Sequence, residues 1–382
     1  MISIGSLNQI SGLEALRFRA GLQGSKNAIR WPYIAENTEI ENWTKGGELI
    51  FVTGLNWKWT VQELITLIEK AKKQCTSGLV ILTHSPYLDT IPIEVLDFAN
   101  EQHFPIFEQP YSLPMVNVTE ILSNAIIMDG LNNKSNRWFL RNLADNPSMS
   151  EIDLIKATEI GLNLDQQLSV AFIKFNRITD EEVIKGDYLI SQFMLNEGVQ
   201  LPITELHQGW LAIMPTSAEY CDDSMKRWNQ LHQKLLAYGF HCTIGVSDAK
   251  ELKVIYKAVS QARQSAKFHR DNDRNEVIHY NSLGIAQLFT HVDNNEIESF
   301  CRQYLGDIFN KHDTQSLVLK TTLVCYFDNL CSMRQTALAM NIHRNTLSNR
   351  LQKIETLTGI NLSNAQQRLS LQIALIAARF IS

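Results

Sequence analysis

Apolar residues recur along this chain with two different periods, and the period changes from segment to segment. Three early runs are continuously apolar: Leu49-Ile-Phe-Val-Thr53, Leu79-Val-Ile-Leu-Thr83 and Phe104-Pro-Ile-Phe107. Between them the spacing is helical. Val61 to Lys73 keeps Leu64, Ile65 and Ile68 on one face, and Ile93 to Gln102 keeps Val95, Leu96 and Ala99 together. Buried strands alternating with amphipathic helices predict an α/β domain with a parallel sheet over residues 1–125. Ligands of such sheets sit beyond the carboxyl ends of the strands. Those ends are Thr53-Gly54-Leu55, Thr83-His84-Ser85 and Glu108-Gln109. Thr53, Gly54, Trp57 and His84 are therefore candidate effector contacts. The same residue types also cap strands and turns, and Trp57 and Trp59 serve equally as an aromatic lid or as packing.

Val118 to Leu143 reads as a long helix with Ile121, Leu122, Ile126 and Met128 apolar, and residues 126–165 are expected to be a helical linker. A helix there suits a dimer contact or plain domain packing. Residues 166–290 change to an α+β order. Leu168 to Phe175 alternates as a strand, and Val183 to Asn196 is helical. Pro202 to Leu206 and Trp210 to Met214 form a hairpin across Gln208-Gly209. Ser224 to Tyr238 and Glu251 to Ala266 are helical, and His241 to Val246 and Val277 to Tyr280 are strands. Residues 291–316 are expected to be connecting helices, and 317–382 a small all-α domain.

The all-α segment carries the clearest chemistry. Ser332 can cap a first short helix whose Met333, Ala337 and Met340 share a face at i, i+4, i+7. Asn341 suits a left-handed turn, and Ile342 is an apolar plug beneath it. In the second helix Leu347, Leu351 and Ile354 form the inward stripe. His343, Arg344, Asn345, Thr346, Ser348, Asn349, Arg350 and Lys353 are left for DNA. A helix-turn-helix presents the start of its second helix to the major groove, where Arg pairs with guanine and Asn with adenine. Flanking helices have Leu319, Leu323 and Phe327, then Leu369, Ile373 and Ile376, expected inward. Seven Lys and Arg against two acids lie between Leu317 and Ser382, a balance of +5 on a chain whose net charge is −5. A basic end on an acidic body fits nucleic-acid contact confined to that end.

Thr322-Leu323, Thr336-Ala337, Ile342-His-Arg-Asn-Thr-Leu347, Arg350-Leu351-Gln-Lys-Ile354 and Thr358-Gly359 together resemble the C-terminal helix-turn-helix of PucR/CdaR-type regulators. Asn349 departs from the Tyr common there, which bears on base preference. Ile4 to Leu16, Trp31-Pro32, Trp43, Gly46-Gly47-Glu48-Leu49 and Thr53-Gly54-Leu55 resemble the N-terminal domain of the same regulators. That resemblance implies control of purine catabolism and a small nitrogen-rich, purine-like effector. The strand and helix order of 166–290, with Thr243-Ile-Gly-Val-Ser247 and Tyr256 to Ala262, resembles the degenerate GGDEF-like domain of CdaR-type regulators. A cyclase of that kind holds phosphate and Mg²⁺ with a Gly-Gly-Asp/Glu-Glu-Phe turn, and Mg²⁺ wants oxygen ligands. The corresponding hairpin is Glu205-Leu-His-Gln-Gly-Trp210, with one acid. No cyclase activity is expected.

Composition excludes several other classes. The 382 residues are 45% apolar and 20% charged, as in a multi-domain globular protein. Met1-Ile-Ser-Ile-Gly has no basic region before an apolar run, so no secretory signal is expected. No apolar stretch is long enough to span a membrane. Six cysteines lack CxxC spacing, which predicts reduced thiols and no zinc site. Cys301, Cys325 and Cys331 are expected to be buried in helical settings. GxSxG, HExxH, GxxxxGK[ST] and GxGxxG are absent. The expected protein is a cytoplasmic, ligand-responsive transcription regulator. It is not an enzyme and carries no cofactor or metal. Its partners are double-stranded DNA, a small effector and a second copy of itself, with no membrane. The alternatives are a GGDEF-like nucleotide-processing enzyme with an appended DNA-binding domain, and an adaptor whose helical end binds protein.

Overall fold

The computed structural model describes residues 2–54, 58–146, 149–163, 165–175, 179–199, 201, 203–206, 209–216, 221–268, 276–310 and 314–381. The chain divides into two compact units, one of residues 1–262 with 275–277, the other of 263–274 with 278–382.

The first unit holds two sheets. Strands β1 (Arg17–Ala20), β2 (Trp31–Ala35), β3 (Glu48–Val52), β4 (Gly78–Thr83) and β5 (Ile106–Pro110) form a five-stranded sheet in the order β1-β5-β4-β3-β2. Strands β2 to β5 are parallel, and β1 adds antiparallel to β5, so the sheet is mixed rather than wholly parallel. β1 and β2 are short edge strands that bury only their last residues, Ala20 and Ala35. The central β3 and β4 are buried at every position, as a strand covered on both faces must be. Ile50, Val52, Leu79 and Ile81 face one core together with Leu64, Leu67 and Ile68 of α1 (Val61–Lys73) and Val95 of α2 (Ile93–Glu101). Leu67, rather than the half-buried Ile65, completes the α1 stripe. Thr60 fixes the start of α1 by accepting from Glu63 N, while the Glu63 carboxylate accepts from Thr60 N.

Leu49, Phe51, Val80 and Phe107 face the other way, against Ile4, Leu7 and the first turns of α3 (Met115–Asp145), which bury Val118 and Leu122. The long helix is thus part of this domain's core at one end and continues beyond it. α4 (Glu151–Glu159) follows, started by Ser150 in a second capping box.

The second sheet comprises β6 (Gln167–Phe175), β7 (Thr204–Leu206), β8 (Gly209–Thr216) and β9 (Cys242–Val246) in the order β9-β6-β8-β7, with β10 (Lys250–Glu251) pairing β6. α5 (Asp180–Asn196) joins β6 to β7, and α6 (Cys221–Ala237) joins β8 to β9. The β-α-β-β-α-β order with antiparallel β9-β6-β8-β7 is that of a split βαβ sheet. Leu206 pairs with Gly209, and the two residues between them, His207 and Gln208, lie outside the described set. Trp228 of α6 is fully buried and donates its indole N–H to Ser169 Oγ at 3.1 Å. α7 (Ile255–Lys267) follows β10.

The second unit is helical. α8 (Asn294–Leu305), α9 (Asp307–Asn310), α10 (Thr314–Asp328), α11 (Met333–Ala339), α12 (Arg344–Thr358) and α13 (Ala365–Ala377) enclose one core. Ile297, Cys301, Leu305 and Ile308 belong to that core beside Leu319, Leu323, Phe327, Leu347, Leu351 and Ile354. The segment before residue 317 therefore builds the domain as well as connecting to it. α13 faces inward through Leu371, Ala374 and Ala377, not Leu369, which is 53% exposed. The small alanines let α13 lie close to α8, where Cys301 Sγ reaches Ala374 O at 3.4 Å. Cys301 is buried, as expected. Cys325 and Cys331 are only half-buried, and Cys331 lies in a turn with φ 61° rather than in a helix.

Candidate nucleic-acid interface

The α11–α12 hairpin is locked by its own short-range hydrogen bonds. Ser332 Oγ accepts from Gln335 N at 3.3 Å, and Thr336 Oγ1 donates to Ser332 O at 2.8 Å. Ile342 N donates back to Ala337 O at 3.0 Å, closing the turn over the buried Ala337. Asn341 takes φ 50°, a left-handed value that Asn tolerates better than most residues. His343 is the N-cap of α12. Its Nδ1 accepts from Asn345 N at 3.2 Å, which places the ring proton on Nε2, and its carbonyl accepts from Leu347 N. At the far end Gly359 takes φ 69° and donates to Glu355 O, a left-handed C-cap.

With both ends fixed, the helix has one possible inward face. Leu347, Leu351 and Ile354 are buried in the core. Arg344, Asn345, Thr346, Ser348, Asn349, Gln352 and Lys353 are all exposed. Arg344 and Asn345 stand in the first turn, where the helix dipole also favours phosphate. Arg350 differs from this group. It is half-buried, and its Nη1 lies 3.4 Å from Thr322 Oγ1 of α10, so it ties α12 to α10. Arg368 likewise faces inward and donates to Leu362 O at 2.8 Å.

The candidate effector residues lie in the first unit at the ends of β3, β4 and β5. Thr53 and Gly54 follow β3, with Gly54 at φ 69°. Trp57 lies outside the described residues. His84 follows β4 with φ 53° and an exposed ring. Its Nε2 is 3.6 Å from Glu108 Oε1 and its Nδ1 is 3.8 Å from Asp89 Oδ1. Glu108 is the hub of this cluster. It is buried, accepts from Thr83 Oγ1 at 2.9 Å, and pairs with Arg19 Nη1 at 3.0 Å. The expected strand end at Phe107 is three residues early, since β5 ends at Pro110. β5 begins only after Pro105 and runs through Glu108 and Gln109, whose polar groups are satisfied inside the fold: Gln109 Nε2 donates to Leu113 O. Arg19 and Glu108 are not legible as a pair in the sequence, because the strand that brings them together is only four residues long and its partner β5 lies 89 positions away.

Residues 6–126 match the Purine catabolism regulatory protein-like family, and residues 319–377 match the PucR C-terminal helix-turn-helix domain. The chain is 23% identical over 194 residues to the Purine catabolism regulatory protein of Bacillus subtilis (strain 168), which is 50% of this chain and 35% of that protein. It is 33% identical over 88 residues to an uncharacterized protein in the pkwA 5' region of Thermomonospora curvata, which is 23% of this chain and 48% of that one. The matches thus span about a third and about half of these relatives' own lengths. A solved structure, the regulator of polyketide synthase expression from Bifidobacterium adolescentis, aligns over 65% of this chain and 99% of that chain, with 13% identity and a TM-score of 0.30.

Proposed function

We propose that this chain, which carries a PucR-type N-terminal domain and a PucR-type helix-turn-helix, is a DNA-binding transcription regulator that answers to a small ligand. The observation that carries the reading is the first turn of α12. It is capped at His343, anchored from below by Leu347, and presents Arg344 and Asn345 to solvent. Arg344, Asn345 and Asn349 reach base edges, while Lys353 neutralises phosphate. Arg350 braces the helix through Thr322. Two copies bind as a homodimer, because one short helix reads few bases and two half-sites double the contacts. The regulated genes serve purine or related nitrogen-compound catabolism, by analogy with the Bacillus subtilis relative. The N-terminal domain, residues 1–125, takes the effector near Thr53, Gly54 and His84. Residues 166–290 act as a GGDEF-like relay without cyclase chemistry. Their hairpin offers Glu205 alone as an acid, and among the described residues no three His, Cys, Asp or Glu side chains converge as metal ligands. No helix among the described residues is long and apolar enough to cross a membrane.

The test is binding to duplexes selected from a random pool, read at several salt concentrations. Arg344→Ala should lose about 1–3 kcal/mol at the selected site and relax one base position. Lys353→Ala should weaken all sequences alike and lower the salt slope by about one unit. Wild-type affinity in both variants at matched salt would sink the docking.

A further inference from the structure

The first unit contains a cavity of about 270 Å³ between residues 28–30, the middle of α3 and α5. It lies just under the roughly 300–1,000 Å³ typical of sites for drug-sized ligands, so it selects for something smaller. Ile29 and Ile126 give it apolar wall, while Lys134, Arg137, Asp129 and Asp187 bring charges of both signs to its edge. The pair across it is loosely made. Arg137 Nη2 is 3.3 Å from Asp187 Oδ2, and Arg137 Nε is buried without an acceptor. A guanidinium offers about five donors and a carboxylate roughly four acceptor sites, so this single contact leaves capacity on both partners. Arg30, also on the wall, is already committed: it donates to Gly46 O and to Glu48.

The walls are held in place without a ligand. Gln192 of α5 accepts from Ala28 N at 2.6 Å and donates to Lys26 O at 2.8 Å, which pins the loop that carries residues 28–30. The Tyr188 ring lies so close to Gly47 that a Cβ there would come within 2.7 Å of it. The cavity is therefore preformed, which lowers the ordering cost of binding.

We propose that this cavity binds a small zwitterion with an apolar body, an α-amino acid of the leucine or phenylalanine kind. The ligand carboxylate pairs with Arg137 and Lys134, its ammonium with Asp187 and Asp129, and its side chain covers Ile29 and Ile126. One bound molecule touches the N-terminal domain, the long helix and α5 at once. This site is separate from the strand ends at Thr53, Gly54 and His84.

The experiment is calorimetric titration of the full chain, without DNA, with L-leucine and L-phenylalanine. The controls are 4-methylpentanoate, which lacks the ammonium, and 3-methylbutylamine, which lacks the carboxylate. At least one amino acid should bind saturably, and both controls at least ten-fold more weakly. Arg137→Gln and Asp187→Asn should each weaken the amino acid at least ten-fold. Gly130 gives a variant that does not threaten the fold. It lines the cavity on α3, and a Cβ built there meets nothing within 4 Å. Gly130→Leu should fill the space and abolish binding, with the ligand-free melting temperature unchanged or raised, since glycine is a poor residue for a helix interior. The proposal is overturned if neither amino acid binds, if the singly charged controls bind as well, or if Gly130→Leu binds as wild type does. DNA is absent throughout, so these outcomes are independent of the helix-turn-helix reading.

Discussion

The first turn of α12 and the carboxyl ends of β3 to β5 are both polar and both close a buried core, yet they use their polar groups in opposite ways. On α12 the side chain that anchors the helix in the core is distinct from those that face solvent, and the cap is made by an exposed residue. His343 caps and Leu347 anchors, while Arg344, Asn345, Ser348 and Asn349 are exposed. At the strand ends the polar groups are spent on one another. Glu108 is buried and takes both Thr83 and Arg19, and Gln109 is turned back onto Leu113 O. Polar residues on an exposed helical face are available to a partner without structural loss. Polar residues buried at a sheet end must first be satisfied inside the fold, because an unpaired buried group costs about 1–3 kcal/mol. A sequence shows the residues in both places but not which of the two regimes applies.

That contrast can be broken at its supports. Leu347 is fully buried beneath the exposed face. Leu347→Ala should cost about 2–5 kcal/mol, the transfer of the lost methyls plus the cavity left behind. Arg344→Ala, three residues earlier, should stay within about 0.5 kcal/mol of wild type. Urea unfolding of the two variants reads the difference, and equal losses would mean that Arg344 is part of the structure rather than of the contact face. At the strand ends the expectation is reversed. Glu108→Gln should cost about 1–3 kcal/mol, because one oxygen that accepts from Thr83 or Arg19 becomes a donor. A neutral result there would show that the cluster is as open as α12.

A smaller effect tests the helical core by pH. Burial raises the Cys301 thiol to about 11, against about 8.5 in an unfolded chain. The folded state then keeps a proton that the unfolded state has lost. The associated stability is fully present below about pH 8.5 and is lost as pH rises toward 11. By pH 10 the loss should be about 1–2 kcal/mol. Cys301→Ala should remove that part of the pH dependence in parallel melts, although it costs stability at every pH. An unchanged alkaline slope in the variant would place the titrating group elsewhere.

The smallest effect lies in the turn itself. Asn341→Ala should cost about 1 kcal/mol, because alanine at φ 50° crowds its Cβ against the backbone. Asn341→Gly should be neutral within a few tenths or slightly stabilising. Thermal melts of the pair decide it. An alanine variant as stable as the glycine variant would show that the turn rearranges without loss, and the rigid presentation of α12 would fail with it.

Much of the fold is written in local pattern. The limits of α1, the continuous burial of β3 and β4, the Ser332 cap, the left-handed Asn341 and the Leu347-Leu351-Ile354 stripe all follow from spacing and side-chain chemistry within a few residues. Local rules suffice there because each feature is stabilised by neighbours in sequence. What depended on distant partners was not legible. The edge strands β1 and β2 exist because a neighbouring strand offers them hydrogen bonds. β5 reaches Pro110 because Thr83 and Arg19 make Glu108 tolerable inside. α13 turned to bury Leu371 and Ala374 rather than Leu369 because α8 needed a close approach. Arg350 and Lys353 read alike as basic residues on one helix, but only the packing of α10 against α12 put Thr322 beside Arg350 and left Lys353 exposed. The sequence by itself determined which segments are helices or central strands, and it marked the start of α12 as a polar face left outside the core. Tertiary structure alone decided which polar groups are already spent and where space was left between elements, because burial and hydrogen-bond satisfaction belong to pairs of residues far apart in the chain.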